Sequence, residues 1–94
     1  MSSREVEHLH PDLRLLCRNF LTLCRNEGIG AFLTCTYRSA AEQDDLYAQG
    51  RTKPGRKVTN ARGGQSRHND TLDGKPASRA FDIAIRSHGN QALN

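Results

Sequence analysis

The sequence predicts a small α+β domain, with N-terminal helices followed by a short antiparallel sheet. Two stretches carry apolar residues at helical spacing, and two others alternate apolar and polar residues as strands do. These elements follow one another as helix, strand, helix, loop and strand. The 94 residues suit a single domain spanning 1–94. The core of so short a chain is thin and often depends on a metal, a disulfide or a partner.

The first helix is predicted over residues 11–27. Pro11 suits the first helical position, and Gly28 suits the position just past the end. Apolar side chains recur between them at helical spacing: Leu13, Leu16, Cys17, Phe20, Leu23 and Cys24. We interpret this segment as an amphipathic helix. Its polar stripe is expected to face solvent and carries Arg14, Arg18 and Arg25.

The remaining elements follow from alternation and capping signals. Residues 31–37, AFLTCTY, and 79–85, RAFDIAI, predict two strands. Ser39 and Glu42 have the spacing of a capping box, so a second helix begins there and ends near Gly50. Residues 51–65 predict a loop, with a short strand at 57–61. Arg38 stands between the first strand and the second helix, where a side chain can project into a cleft.

The net charge and the distribution of apolar residues indicate which partners and which cell compartment to expect. The chain has 14 Lys and Arg against 10 Asp and Glu, a net charge of +4. That balance favours an anionic partner such as nucleic acid, a cell-wall polymer or a membrane surface, without choosing among them. Neither a signal peptide nor an apolar run of membrane-spanning length is present. We therefore expect synthesis in the cytoplasm and no membrane partner.

The three cysteines, Cys17, Cys24 and Cys35, do not form a disulfide framework, because their number is odd and their spacing unsuited. We interpret them as buried thiols of a protein made in a reducing compartment. Zinc ligation by the cysteines is the open alternative.

His68 and Asp82 are the candidate metal ligands. Zinc sites of hydrolases use three protein ligands, commonly histidine and carboxylate. Asp82 interrupts an apolar strand, where a carboxylate is costly to bury unless it is paired or bound to a metal. Its face of the strand would be shared with the small side chains of Ala80 and Ala84. The alternative is a solvent-facing Asp82 and an ordinary loop histidine, since a spacing of fourteen residues is a weak signal.

Several motifs in order resemble the M15-type zinc peptidases. This group comprises D-alanyl-D-alanine carboxypeptidases and L-alanyl-D-glutamate endopeptidases, including phage endolysins and bacterial wall-remodelling enzymes. The motifs are Y-R-S before a helix, E-Q and LYAQGRT within and after it, PG..VTNA, S-x-H and A-x-D, over about residues 30–86. The resemblance implies a Hedgehog/DD-peptidase-like fold and a zinc-dependent peptidase acting on peptidoglycan stem peptides. The absence of a signal peptide would suit a phage or prophage lysin that reaches the wall after release.

The resemblance also assigns roles to individual residues. His68 of S-x-H and Asp82 of A-x-D match the family's first two zinc ligands. Arg38 of Y-R-S matches an arginine that holds substrate and stabilises charge on the attacked carbonyl, which agrees with guanidinium chemistry. Gln43 matches a position that lines the cleft, and Ser66 would orient the loop or bind substrate near the site. For Arg38, an ion pair capping the following helix remains the alternative.

Two departures from the family pattern affect these expectations. The gap between His68 and Asp82 is longer than usual, and residues 74–76 predict a hairpin tip beside the cleft. The family's third ligand, a C-terminal histidine two residues after an acidic general base, has no match. His88, the only histidine after Asp82, is the alternative candidate for this position, but no acid follows Asp82. We therefore expect that the domain lacks a C-terminal segment or that a second chain supplies it, and that exposed apolar surface favours a homodimer. The remaining histidines, His8 and His10, are expected to be exposed.

Two other function classes stay open. A catalytically inactive wall-peptide-binding module would keep the cleft but not cut, so muropeptide binding without turnover would identify it. A nucleic-acid-binding protein would set the basic residues of 51–67 against phosphates. That segment contains no interleaved aromatic residue and no helix-turn-helix pattern, so nucleic acid is not an expected partner. Salt-sensitive DNA binding would reverse this expectation.

Overall fold

The computed structural model describes residues 2–86. Two helices and four short strands follow in chain order: α1 Pro11–Asn26, β1 Ala31–Cys35, α2 Ala40–Ala48, β2 Thr71–Leu72, β3 Lys75–Pro76 and β4 Asp82–Ile85. Two 3-10 turns, Val6–His8 and Arg67–Asn69, complete the set. β1 pairs antiparallel with β4, and β2 with β3. This architecture confirms the α+β class. None of the described helices has the length and apolar character needed to cross a membrane.

Helix α1 begins at Pro11 and ends one residue short of the predicted limit. The side chain of His10 caps it, since Nδ1 accepts a hydrogen bond of 3.1 Å from the Asp12 amide. The apolar face of α1 is only partly covered. Cys17 is fully buried, whereas Leu16 and Leu23 are 62% and 63% exposed. A sheet of two strands is too narrow to cover the whole face of a helix of 16 residues.

The capping box predicted for α2 is present. The Ser39 hydroxyl accepts from the Glu42 amide at 3.1 Å, and the Ser39 amide donates to the Glu42 carboxylate at 3.3 Å. The predicted strand at 57–61 is not formed. Side chains satisfy this backbone instead: Arg51 donates to the Thr59 carbonyl, and Gln43 donates to the Ala61 carbonyl. The loop is therefore fastened to α2 by side chains rather than by a strand ladder.

Strands β2 and β3 form a small hairpin between the two candidate ligands. Its two-residue turn is Asp73–Gly74, with φ of 54° and 75°. A turn with positive φ at both central residues suits Asp-Gly, so the tip lies one residue earlier than predicted, and Lys75 and Pro76 belong to β3. The Ala77 amide donates to the Asp70 carbonyl at 2.9 Å and closes the base of the hairpin.

The N-terminal segment ties the end of β1 to the chain before β4. The Ser3 backbone exchanges hydrogen bonds with Tyr37 and Thr36, at 2.8 and 2.7 Å. Farther along, the Ser78 amide donates to the His8 carbonyl, and the His10 amide donates to the Ser78 carbonyl. His8 and His10 are half-buried, so the prediction that both are exposed is wrong. Each makes local hydrogen bonds that hold this segment in place.

Gly63 lies against the first turns of α2, and its amide donates to Asp44 Oδ1 at 2.7 Å. A Cβ at this position would collide with the carbonyl oxygen of Ala40 and would lie 2.8 Å from Asp44 Oδ1. We expect Gly63→Ala to lower the free energy of unfolding in urea by about 2 kcal/mol, the cost of overpacking a tight contact.

Gly64→Ala is the matched control for this substitution. A Cβ at Gly64 meets no atom within 4 Å, but its φ of +85° disfavours an L side chain. The expected loss is about 1 kcal/mol. If Gly63→Ala proved no more destabilising than Gly64→Ala, the close approach of the loop to α2 would be contradicted.

Candidate metal centre

A β-bulge aims Cys35 and Asp82 at the same place. β1 and β4 pair as Ala31 with Ile85, Phe32 with Ala84 and Leu33 with Ile83, after which the partner of Asp82 is Cys35. The extra residue is Thr34. Without it, residue 34 would oppose Asp82, and Cys35 would point to the other face, because successive side chains of a strand alternate. The bulge therefore places the thiol and the carboxylate side by side.

The 3-10 turn that carries His68 is docked on the junction between β1 and α2. Ser66 caps the turn, since its hydroxyl accepts from the His68 amide at 3.2 Å. Asn69 fastens it from the other end: its Oδ1 accepts from the Ser66 amide at 3.1 Å, and its Nδ2 donates to the Arg38 carbonyl at 2.8 Å. The Arg38 amide in turn donates to the His68 carbonyl at 2.8 Å. The backbones of Arg38 and His68 are thus held together.

The ring of His68 is held so that Nε2 is available to a ligand. Its Nδ1 lies 2.8 Å from the carbonyl oxygen of Thr36. A carbonyl can only accept, so Nδ1 carries the hydrogen and Nε2 of the neutral ring presents a lone pair. The Nε2 atom lies 3.3 Å from Asp82 Oδ2. Two electron-rich atoms at this distance favour a cation between or beside them, either a proton or a metal ion.

The geometry of the pair fits zinc. Two ligand atoms bound to tetrahedral zinc at about 2.0–2.1 Å are about 3.3 Å apart, which matches the observed separation of 3.3 Å. Within residues 2–86, one ligand atom from each of Cys35, His68 and Asp82 lies within 4.8 Å of the others. The His68 side chain is 11% exposed and the Asp82 side chain 56% exposed. The imidazole of His68 is therefore largely buried, whereas the carboxylate of Asp82 is open to solvent.

Arg38 and Gln43 form a hydrogen-bonded unit beside this pair. Arg38 Nη1 donates to Gln43 Oε1 at 3.0 Å, and Nη2 donates to Cys35 Sγ at 3.5 Å. Gln43 is 1% exposed, and its Nε2 donates to the Ala61 carbonyl at 2.9 Å. The amide of Gln43 therefore lies behind the guanidinium and fixes its direction. The guanidinium donates hydrogen bonds to Gln43, Cys35 and Ser2, all of which are uncharged groups. None of these three bonds is the ion pair that was considered as the alternative role of Arg38.

Comparison with known proteins now decides the family. A sequence profile of the VanY family, described as D-alanyl-D-alanine carboxypeptidase, matches residues 6–92. The chain belongs to the VanY family. It is also similar to the peptidoglycan L-alanyl-D-glutamate endopeptidase CwlK of Bacillus subtilis, with 48% identity over 78 residues, or 83% of this chain. The match spans 42% of the length of that endopeptidase. The M15-type resemblance is thereby confirmed as a family relationship.

The structure of this VanY-family chain brings its sequence-predicted site residues into one region. His68 and Asp82 face each other, Arg38 is joined to His68 through the backbone, Gln43 supports Arg38, and Ser66 caps the turn. Their roles in catalysis and binding stay predictions. His88, the other candidate ligand, lies outside the described residues.

Sequence reasoning did not place three residues in this region: Cys35, Thr36 and Asn69. Thr36 offers a backbone carbonyl, which any residue would supply, so its side chain gave no signal. Asn69 directly follows His68, but its three hydrogen bonds depend on how the loop folds. Cys35 was expected to be a buried thiol, and it is buried, yet it lies beside the candidate ligands. Cys17 matches that expectation more simply, and burial raises the pKa of its thiol, with Arg18 acting in the opposite direction.

Proposed function

We propose that this chain is a zinc-dependent peptidase that hydrolyses a peptide bond in peptidoglycan stem peptides, at D-Ala-D-Ala or L-Ala-D-Glu. The observation that carries the proposal is the convergence of His68 Nε2 and Asp82 Oδ2, 3.3 Å apart on an open face. The two bonds come from the comparisons. The family description names a D-alanyl-D-alanine carboxypeptidase, and the name of the Bacillus protein specifies an L-alanyl-D-glutamate endopeptidase.

In this proposal His68 and Asp82 hold the zinc ion, which supplies Lewis acidity to an amide carbonyl and to water when it is bound. Arg38 binds the substrate and stabilises negative charge that develops on the attacked carbonyl oxygen. Gln43 keeps the guanidinium directed toward the site, because its own amide is fixed by the Ala61 carbonyl. Ser66 holds the turn that presents His68.

The place of action we propose is the cell wall. The similar Bacillus protein is named as a peptidoglycan enzyme, and a net charge of +4 suits an anionic wall polymer. Several basic side chains of the 51–67 segment make contacts within the chain. Arg51 lies over the Tyr47 ring at 3.9 Å, Lys53 pairs with Asp45 at 3.1 Å, and Arg67 lies 3.8 Å from Asp70. These three cations are therefore engaged by groups of the chain itself.

Removal of zinc tests the proposal. We expect the chain to bind one zinc ion in competition with a chromogenic chelator, and to cleave one of two synthetic stem peptides that contain either bond. Dialysis against a strong chelator should abolish cleavage, and zinc, but not magnesium, should restore it, because a site with an imidazole ligand favours zinc.

Two other results have distinct meanings. Zinc binding with peptide binding but without cleavage of either bond would favour the inactive wall-peptide-binding module. Failure to bind zinc at micromolar concentration would contradict the metal role of His68 and Asp82.

A further inference from the structure

We propose that Asn69 is a positioning residue, whose side-chain amide keeps Arg38 aligned with the imidazole of His68. The inference rests on the proposed function, because Asn69 would affect the reaction through Arg38 and not by contact with substrate or metal. Asn69 directly follows His68 in the 3-10 turn Arg67–Asn69 and is 9% exposed. A buried amide needs hydrogen-bond partners, and those partners decide what it holds together.

The orientation of the Asn69 amide follows from its three partners. Oδ1 lies 3.1 Å from the Gly64 amide and 3.1 Å from the Ser66 amide, and a backbone amide can only donate. Nδ2 lies 2.8 Å from the Arg38 carbonyl oxygen, which can only accept. Rotation of the side-chain amide by half a turn would break all three hydrogen bonds. The nitrogen is therefore directed at Arg38.

Arg38 depends on this turn because it lies between β1 and α2 and belongs to neither. Its amide donates to the His68 carbonyl at 2.8 Å, and its carbonyl accepts from Asn69 Nδ2. Both hydrogen-bonding groups of the Arg38 backbone thus bind the turn that presents His68. The start of the Arg38 side chain is therefore placed by the same turn that places the candidate zinc ligand.

The far end of the Arg38 side chain is held by a different group. Nη1 donates to Gln43 Oε1 at 3.0 Å, and Gln43 belongs to α2. Gln43 fixes the direction of the guanidinium, whereas Asn69 fixes the backbone from which the side chain extends. Loss of the Asn69 donor would free this backbone to shift relative to His68, even with the bond to Gln43 intact.

The imidazole of His68 is held by other groups. Its Nδ1 donates to the Thr36 carbonyl at 2.8 Å, and its backbone amide donates to the Ser66 hydroxyl at 3.2 Å. Neither contact uses the nitrogen of the Asn69 side chain. We therefore expect that loss of this nitrogen displaces Arg38 and leaves zinc binding nearly unchanged. That difference separates a positioning role from general support of the fold.

Asn69→Asp tests the inference, because aspartate keeps the shape and the acceptor oxygen but replaces the donor nitrogen by a second acceptor. We expect kcat, measured at saturating zinc on the stem peptide that the wild type cleaves, to fall by about 10–100-fold, since a displacement of 1 Å can cost this much. KM should change less than kcat. Zinc affinity in chelator competition should fall by less than about 10-fold, the lower limit for residues that support a metal ligand directly.

A double-mutant cycle shows whether Asn69 acts through Arg38. In the Arg38→Ala background, Asn69→Asp should lower kcat by no more than about 2-fold further, the usual scatter of additive effects, because the group that it positions is gone. Asn60→Asp is the matched control. Asn60 is exposed, and its Oδ1 accepts from Arg51 at 3.3 Å. Aspartate there adds the same charge and keeps the acceptor, so kcat and KM should stay at their wild-type values.

The outcomes are distinct. An unchanged kcat in Asn69→Asp, or losses that multiply in the double variant, would overturn the inference. Zinc affinity lowered as strongly as kcat would also overturn it, because Asn69 would then support the metal ligand instead.

Circular dichroism checks that each variant is folded. If Asn69→Asp is unfolded, Asn69→Ala, which introduces no charge, replaces it in the cycle. If neither variant folds, Asn69 supports the fold itself and the inference is wrong. A wild-type chain that cleaves neither stem peptide would contradict the proposed function, and this inference with it, before any variant is compared.

Discussion

His68→Ala is expected to weaken zinc binding more than about 100-fold and to abolish measurable peptide hydrolysis. Changes outside the first coordination shell already cost about 10–100-fold in affinity, and this substitution removes a ligand itself. The imidazole is also fixed by the Thr36 carbonyl and lies 3.3 Å from Asp82. Removal of the His68 imidazole therefore leaves the Asp82 carboxylate without the second ligand that would hold the metal. Chelator competition and hydrolysis of the two stem peptides would measure both effects.

His10→Ala is the matched control, because it also removes a half-buried histidine but one that caps α1. Loss of this cap should lower the free energy of unfolding by about 1 kcal/mol, while zinc affinity stays at the wild-type value.

Asp82→Asn should weaken zinc binding as His68→Ala does. Its free energy of unfolding should equal that of the wild type, since the Asp82 side chain is 56% exposed. Unchanged zinc affinity in His68→Ala would show that any bound metal lies elsewhere.

Arg38→Ala is expected to lower kcat by about 10²–10³-fold, the usual cost of removing one group that stabilises a developing oxyanion. Zinc affinity should change little, because the guanidinium is not a ligand. The hydrogen bonds from Arg38 to Gln43 and Cys35 imply that its direction matters as well as its charge. Lysine cannot reproduce both bonds of a fixed planar fork, so Arg38→Lys should recover only part of the lost kcat.

Arg25→Ala removes one positive charge from the far end of α1 and controls for net charge. It should leave kcat and KM at their wild-type values. If Arg38→Ala raised KM with kcat unchanged, the residue would contribute uniform binding rather than stabilisation of the transition state. If Arg38→Lys matched wild type in both constants, charge alone would account for its action.

Residue types at the ends of helices correctly predicted where the two helices begin, because capping depends on residues that are close in sequence. Pro11 and the Ser39–Glu42 capping box placed the starts of α1 and α2 to within a residue. The exposure of Leu16 and Leu23 was not predicted, because helical periodicity shows which face is apolar but not how much of it a partner covers. The prediction of a strand at 57–61 was wrong because the pattern within a segment does not show which groups outside it satisfy its backbone. A side chain from Arg51 or Gln43 can satisfy a loop carbonyl without any strand pattern in the loop.

The candidate site was predicted where family motifs mark it and missed where it depends on tertiary geometry. His68, Asp82, Arg38, Gln43 and Ser66 stand in motifs that can be found by comparison with the M15-type pattern, and the structure brings them into one region. The position of Cys35 next to Asp82 was not predicted, because regular pairing continued from Leu33 and Ile83 would set Cys35 opposite Phe81 instead. One unpaired residue, Thr34, reverses that parity. No residue type demands a bulge at that position, so the thiol could be placed only by the structure.

The hairpin between His68 and Asp82 has a consequence for protein engineering. Its base is closed by the hydrogen bond between Ala77 and Asp70, and its tip is a tight Asp73–Gly74 turn. The positions of the two ligands are therefore fixed below the hairpin, independently of how many residues the hairpin contains. Lengthening a surface loop costs little, about 0.6 kcal/mol per doubling of its length. The turn is accordingly a suitable point of insertion for an affinity tag or a fluorophore-binding peptide.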